Sequence, residues 1–330
     1  MTVSQIRTKN ISSCYLCGCS GRDFYVGLTD TLFGVPGSWT LKECTNESCG
    51  LAWLDPAPIP EDVGLLYKTY YTHHSKGVGN STGSDTGFGR RLIHSLYKLL
   101  IRVLSVRKRR KRLNVMYLDK EEPGRILDVG CGNGDRLLRF KNLGWEVEGQ
   151  EIDSKATAFA RENNSLLVHD GDLISLELPS SQYDAIILNH VVEHLVDPIE
   201  TLAECLRLLK RGGVLVAATP NIRSYGRRYY KEYWRGLEPP RHLHIFTPQA
   251  LSAAAEKAGF VGCSAWTEPC KAEFFARGSL QIEANLAVLN GVNKSVADIF
   301  QPMMFQMKSL LAYRKDPDSG EECILWARKV

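Results

Sequence analysis

No run of eighteen consecutive apolar residues occurs in this 330-residue chain, so no segment reads as a membrane-spanning helix. The first ten residues, MTVSQIRTKN, lack the apolar core of a secretory leader, from which a cytoplasmic location is expected. A dinucleotide fingerprint G-x-G-x-x-G is missing too, because Asp135 stands where its third glycine belongs. An aspartate there repels the pyrophosphate that normally rests on the helix-start amides. Acid is absent from residues 90–112, which hold ten Lys or Arg, although the whole chain balances 41 basic against 37 acidic residues. The basic character is therefore local. The ten cysteines are too unevenly spread for a disulfide framework.

What is present begins with an ordinary apolar content of 44%, enough at this length to bury a large core. The stretch 125–134, RILDVGCGNG, organises the rest. Ile126, Leu127 and Val129 suit a buried parallel strand. Gly130, Gly132 and Gly134 then remove Cβ atoms from alternate positions, so the backbone can turn sharply and approach a ligand. Asp135 opens a helix that carries Leu137, Leu138 and Leu143 and is expected to end at Gly144. EVEGQEID, LLVHDGD, YDAIILN and GGVLVAATPN read as further strands, with helices SKATAFAREN and PIETLAECLRLLK between them; Arg211 and Gly212 are expected to cap the second helix. This alternation predicts an α/β, doubly wound, Rossmann-like sheet with a nucleotide-type pocket at the carboxyl ends of its strands. Glu151 ends the second strand, where a carboxylate can accept both ribose hydroxyls. VGCSAWTE and CILWARKV read as the last two strands, with two or more helices inserted between them as a cap at about 270–315.

The spacing G-x-G-x-G preceded by Asp128 resembles motif I of the class I S-adenosylmethionine (SAM)-dependent methyltransferases. The resemblance implies a seven-stranded sheet ending in an antiparallel hairpin, and SAM held by Asp128, Gly130, Cys131, Gly132, Gly134, Glu151 and Ile152. In that family the acid after strand three reaches the adenine amine, which Asp172 and the following Leu173 match. Asn189 and His190 match the turn after strand four that lines the methyl site.

Cys14 and Cys17 form C-x2-C, and Cys44 and Cys49 form C-x4-C. Four thiolates can close a tetrahedral structural Zn2+ site, and paired knuckles are the usual way to build one. Cys19 is a spare. The surrounding segment also resembles the N-terminal zinc modules of bacterial methyltransferases acting on sugars. Residues 1–60 are thus expected to be a zinc-binding module, 61–118 a linker with a basic amphipathic helix, and 119–330 the methyltransferase domain. DVGLLYKTYY, at 62–71, reads as a short helix whose tyrosines face the active site. Within 90–112, Leu92, Leu96, Leu99, Leu100, Val103 and Leu104 recur at helical spacing. Such a helix suits either the helix that precedes the first strand of the sheet, solvated on its charged face, or peripheral contact with anionic lipid at the inner membrane face, with nucleic acid ranked after both.

Pro239 and Pro240 stiffen a segment bearing Arg241, His242 and His244. PRHLHIFTP resembles a group of bacterial methyltransferases of surface-glycan and natural-product pathways. In zinc-bearing sugar C-methyltransferases the corresponding position holds a catalytic histidine preceded by glutamate; His242 matches the histidine, with Arg241 in the glutamate's place. The expectation is O-methylation of a small-molecule or carrier-linked sugar or polyol, with His242 as general base and His194 or His244 assisting. Arg241 suits an anionic group on the acceptor. Sugar C-methylation, RNA methylation and a non-catalytic SAM-binding partner are the alternatives.

Overall fold

The computed structural model describes residues 6–67, 106–284 and 296–330. The chain opens with strands β1 (Thr8–Lys9), β2 (Gly21–Leu28), β3 (Trp39–Cys44), β4 (Ala52–Leu54) and β5 (Ala57–Pro58), then a 3-10 turn over Pro60–Tyr67. Helix α1 (Val106–Asn114) leads to β6 (Arg125–Val129), α2 (Asp135–Lys141), β7 (Glu146–Glu151), α3 (Ser154–Asn164), β8 (Leu167–Asp170) and β9 (Tyr183–Asn189). A 3-10 turn at Val192–His194 precedes α4 (Pro198–Leu208), β10 (Leu209–Pro220), α5 (Tyr225–Tyr230) and β11 (His244–Ile245). The chain ends with α6 (Pro248–Lys257), β12 (Val261–Glu268), α7 (Ala272–Glu283), α8 (Val296–Lys315) and β13 (Glu322–Arg328).

A seven-stranded sheet in the order β12-β13-β10-β9-β6-β7-β8 carries the main domain. Its five central and edge strands β10 to β8 run parallel, while β13 pairs antiparallel with both β10 and β12. The alternation within each strand decides which face a residue serves. Leu127, Ile186, Leu188, Leu215 and Leu325 pack on one face beneath Leu202 and Leu251. Ile126, Ile187, Val216 and Ile324 pack on the other against Phe140 and Met116. Apolar residues on both faces are what a sheet covered by helices on two sides requires. The seven-stranded class I sheet with its antiparallel end is therefore present, and α7 and α8 form the expected helical pair between the last two strands.

Two boundaries differ from expectation. Helix α2 stops at Lys141 rather than Gly144, because Trp145 donates its N–H to Phe140 and packs its ring on that side chain. Arg211 and Gly212 cap no helix. They lie in an irregular stretch of β10, where the register against β9 shifts between Leu209 and Val214, and the Gly212 N–H donates to the Lys329 carbonyl.

The N-terminal strands form a second sheet, in the order β11-β4-β3-β2. Its edge strand β11 comes from far along the chain, with His244 opposite Trp53 and Ile245 opposite Ala52. Apolar packing spans the seam as well: Leu41, Leu54 and Trp39 share a core with Ile222, Trp234, Leu243 and Ile245. The Thr247 hydroxyl donates to the Cys49 carbonyl at 2.6 Å.

Candidate functional site

The glycine turn after β6 forms the first part of the site. Gly130, Gly132 and Gly134 all have positive φ, at 66°, 55° and 83°, the region in which an L side chain is strained. A Cβ on Gly130 would strike Val191, at 2.6 Å, whereas one on Gly132 would project into open space. The backbone at Gly132 thus faces a free cradle. Glu151, at the end of β7, is buried and takes the Gly132 N–H on Oε2 at 2.8 Å. Its other oxygen accepts from the Ile152 and Asp153 N–H groups. A carboxylate so held is a fixed acceptor at the cradle's edge. Cys131 is buried under the turn, while the Ile152 side chain is exposed beside it.

Asp128 has no solvent exposure; Arg136 lies 3.5 Å from Oδ1 and Oδ2 has no partner. Burial pushes its carboxyl up to about 6, with Arg136 opposing. Asp172 is exposed and its Oδ2 accepts from the Ile174 and Ser175 N–H groups, shaping a turn over buried Leu173. Asn189 ends β9, and His190 follows in left-handed conformation.

The second part of the site grows from that turn. His190 donates from Nδ1 to Glu193 Oε1 at 3.1 Å and from Nε2 to Glu322 Oε1 at 2.8 Å. Burial opposes its protonation, but the two carboxylates outweigh burial and raise its pKa. Glu193 has no solvent exposure and its Oε2 has no partner. One atom from each of Glu193, His194 and His242 lies within 4.8 Å of the others. The two imidazoles stand edge to face, with centroids 4.7 Å apart. His194 Nδ1 lies 3.0 Å from the Arg241 carbonyl and 3.1 Å from the Tyr67 hydroxyl. His242 Nδ1 donates to the Gly236 carbonyl at 2.8 Å. Burial holds His242 well below the usual histidine range and lowers His194 too.

Sequence reading singled out His194 and His242 and missed Glu193, which joins them. The signal was in H-x-x-E-H at 190–194, since a single tight turn brings both flanking histidines to the one acid. His244 stands elsewhere: it is buried in the seam, edge-on to Tyr15 with ring centroids 5.0 Å apart. Arg241 requires a correction. It has no solvent exposure, and pairs with Asp30 at 2.7 Å and Glu238 at 2.9 Å beneath the Phe33 ring. Two carboxylates already neutralise it, so it is not open to an acceptor's anionic group.

Cys14, Cys17, Cys44 and Cys49 bring four Sγ atoms within 4.8 Å of one another. The Cys14–Cys49 and Cys17–Cys44 sulfur separations are 3.7 Å and 3.4 Å, close to the ~3.8 Å edge of a tetrahedron with 2.3 Å metal–sulfur bonds. Cys19 lies outside the group. The basic stretch is described only from residue 106. There Arg109 pairs with Glu268, Arg110 with Glu273 and Arg112 with Asp119, leaving Arg107, Lys108 and Lys111 exposed; residues 90–105, His73 and His74 lie outside the described residues. No helix among the described residues is long and apolar enough to cross a membrane.

A methyltransferase-domain family model matches residues 103–264. A Mycolicibacterium smegmatis protein, named as a probable S-adenosylmethionine-dependent methyltransferase, is 32% identical over 141 residues, covering 41% of this chain and 51% of the relative. A ubiquinone biosynthesis O-methyltransferase of Thiobacillus denitrificans is 30% identical over 170 residues, covering 44% of this chain and 70% of the relative. The chain spans little more than half the length of the first such relatives it matches. Among solved structures, a SAM-dependent methyltransferase of Archaeoglobus fulgidus is similar at 22% identity and a TM-score of 0.47, covering 71% of this chain and 99% of that one. A glycine cradle facing a fixed strand-end carboxylate, a seven-stranded sheet with an antiparallel end, and the methyltransferase sequence relatives agree: the chain belongs to the class I S-adenosylmethionine-dependent methyltransferases.

Proposed function

We propose that this chain transfers the methyl group of SAM to a hydroxyl oxygen of a sugar or similar polyol, and that the acceptor sheds its proton at the Glu193–His194–His242 cluster. The observation that carries the reading is the contact between the two halves of the site. Val191 packs on Gly130, so the turn bearing the histidines abuts the cofactor cradle. SAM fits that cradle because Gly132 leaves it open and Glu151 stands at its edge as a buried acceptor for ribose hydroxyls. When bound, SAM supplies an electrophilic methyl on a sulfonium sulfur. The protein's part is to hold both partners in line. A hydroxyl keeps its proton at neutral pH, and the buried Glu193 Oε2, which has no partner, is an acceptor in the cluster able to receive it.

The four cysteines would hold a structural Zn2+, since four ligands close the tetrahedron and leave no position for substrate. Its place is architectural: the module's sheet is completed by β11, immediately after His242. A cytoplasmic setting goes with this reading, in which reduced thiolates bind the zinc.

The test is to incubate the protein with SAM carrying a deuterated methyl and a panel of nucleotide sugars and polyols, reading S-adenosylhomocysteine and labelled product by mass spectrometry. Labelled ether product from a sugar acceptor is the expected result. SAM binding with no turnover on any hydroxyl acceptor would replace it with a non-catalytic role.

A further inference from the structure

We infer that Glu193, His194 and His242 form a metal centre distinct from the cysteine cluster, taking a divalent first-row transition ion with nitrogen and oxygen ligands. A neutral imidazole carries one N–H. On His242 that hydrogen sits on Nδ1, donating to the Gly236 carbonyl; on His194 Nδ1 faces the Arg241 carbonyl. Each ring's Nε2 is then a bare lone pair. Glu193 adds a sealed carboxylate oxygen with no partner. One ligand-capable atom of each residue lies within 4.8 Å of the others; His190 meets Glu193 only at Oε1, so the buried Oε2 is left without the positive partner that would satisfy it. Glu238 does not supply it: it is itself anionic, lies 3.7 Å from His242 and is held by Arg241 and Arg235.

The backbone contacts also orient the rings as second partners of metal-bound histidines do, fixing tautomer and angle. Opposed ligands at ~2.1 Å from an ion stand ~4.2 Å apart, so the cluster closes on an ion with a shift below about an ångström. Two histidines and a carboxylate leave coordination positions open, unlike the four cysteines. An acceptor hydroxyl in an open position becomes acidic: its proton passes to water, and its oxygen then bonds the methyl carbon as the sulfur–carbon bond breaks. That role rests on the methyl-transfer reading above; ion binding does not.

The full chain is titrated with Co2+ in the absence of SAM and acceptor, following visible absorption and metal content per chain. Wild type is expected to hold two ions, one with thiolate charge-transfer bands and one without. Glu193→Gln and His242→Ala should each keep the thiolate ion and weaken the other beyond the ~10–100-fold typical of losing a group that only orients a ligand. Wild type saturating at one ion, or Glu193→Gln retaining two at unchanged affinity, overturns the inference. Should His242→Ala fail to fold by circular dichroism, the nearly isosteric Glu193→Gln decides alone. A second ion without methylation of any hydroxyl acceptor would sink the functional reading and leave the metal centre standing. Full methylation with only the thiolate ion present would do the reverse.

Discussion

Tyr67, on the 3-10 turn that closes the N-terminal module, places its hydroxyl 3.1 Å from His194 Nδ1. The segment just after the module therefore reaches the site itself, as the expected tyrosine-bearing helix at 62–71 implied for its first half; residues 68–71 lie outside the described residues. Removing the hydroxyl leaves the ring and takes away one hydrogen bond, a contribution of about 0.5–1.5 kcal/mol. Tyr67→Phe should lower kcat by about tenfold at most and leave SAM affinity unchanged, read by steady-state kinetics beside calorimetry. A weakened SAM Kd with normal kcat would mean that Tyr67 serves the cofactor instead.

The cradle is tested by Gly132→Val and Glu151→Gln. Valine at a φ of +55° is strained, and its branches enter the space that Gly132 leaves open. SAM binding should be abolished with the fold retained. Glu151→Gln removes the charge from an acceptor that also orders the Gly132, Ile152 and Asp153 amides. Hydrogen bonds to a charged group contribute about 1.5–3 kcal/mol, so SAM affinity should fall by roughly ten- to a hundredfold. Calorimetry on both variants, with unchanged affinity in each, would move the pocket elsewhere.

Zinc removal should be felt beyond the module. Cys14, Cys44 and Cys49 lie in one apolar core with Leu251, Ala254 and Phe246 of the main domain. The double variant Cys14→Ser, Cys44→Ser is expected to lose its metal by elemental analysis and to melt at lower temperature, since metal binding is folding free energy at such sites. Exposure of Trp53, buried on β4 opposite His244, would report loosening at the seam by a red-shifted fluorescence. A metal-free wild-type protein, purified under reducing, chelator-free conditions, would refute the assignment.

How much of this was legible in the sequence depends on whether partners were local. Strands β6, β7 and β12 coincide with the stretches read as strands to within two residues, because residue alternation and glycine punctuation are local signals. The four cysteines were legible from spacing alone. Arg241 was misread because Glu238, three residues before it, reads as a solvated loop acid, and its other partner Asp30 lies 211 residues away. Strand β11 has two residues and no periodicity to detect, so the sheet joining the two halves of the chain could not be foreseen. Glu193 was overlooked because an acid at a turn ordinarily reads as solvated, and only burial makes it a site residue.

Asp128 should give the protein a measurable pH dependence. Burial raises its carboxyl to about 6, above the ordinary value near 3.8. A raised folded-state pKa stabilises the fold below the unfolded value and withdraws that stability as pH climbs through about 6. The difference of about two units corresponds to about 3 kcal/mol. Asp128→Asn lacks the penalty, so its melting temperature should gain on wild type between pH 4 and pH 7 and hold its lead above. Parallel Tm curves for the two proteins across that range would show that Arg136 keeps Asp128 ionised throughout.

His242 and His244 separate chemistry from architecture. They are two positions apart, yet one ring joins Glu193 and His194 while the other packs on Tyr15 in the seam. His242→Ala should leave SAM affinity near wild type and lower the single-turnover rate by about 10²–10⁴, the range that proton removal typically contributes. The size of the loss is similar whether the imidazole takes the proton or ligates an ion that acidifies it. The pH profile tells the two apart: an ion-bound hydroxyl titrates with the metal used, so replacing Zn2+ by Co2+ would shift the profile only if His242 is a ligand. His244→Ala should behave oppositely. It opens a cavity between the module and the main domain, lowering Tm while single-turnover chemistry stays near wild type once the protein is folded. Equal rate losses in both variants, at saturating SAM and acceptor, would mean that the seam and the site are one mechanical unit and that neither histidine handles the proton.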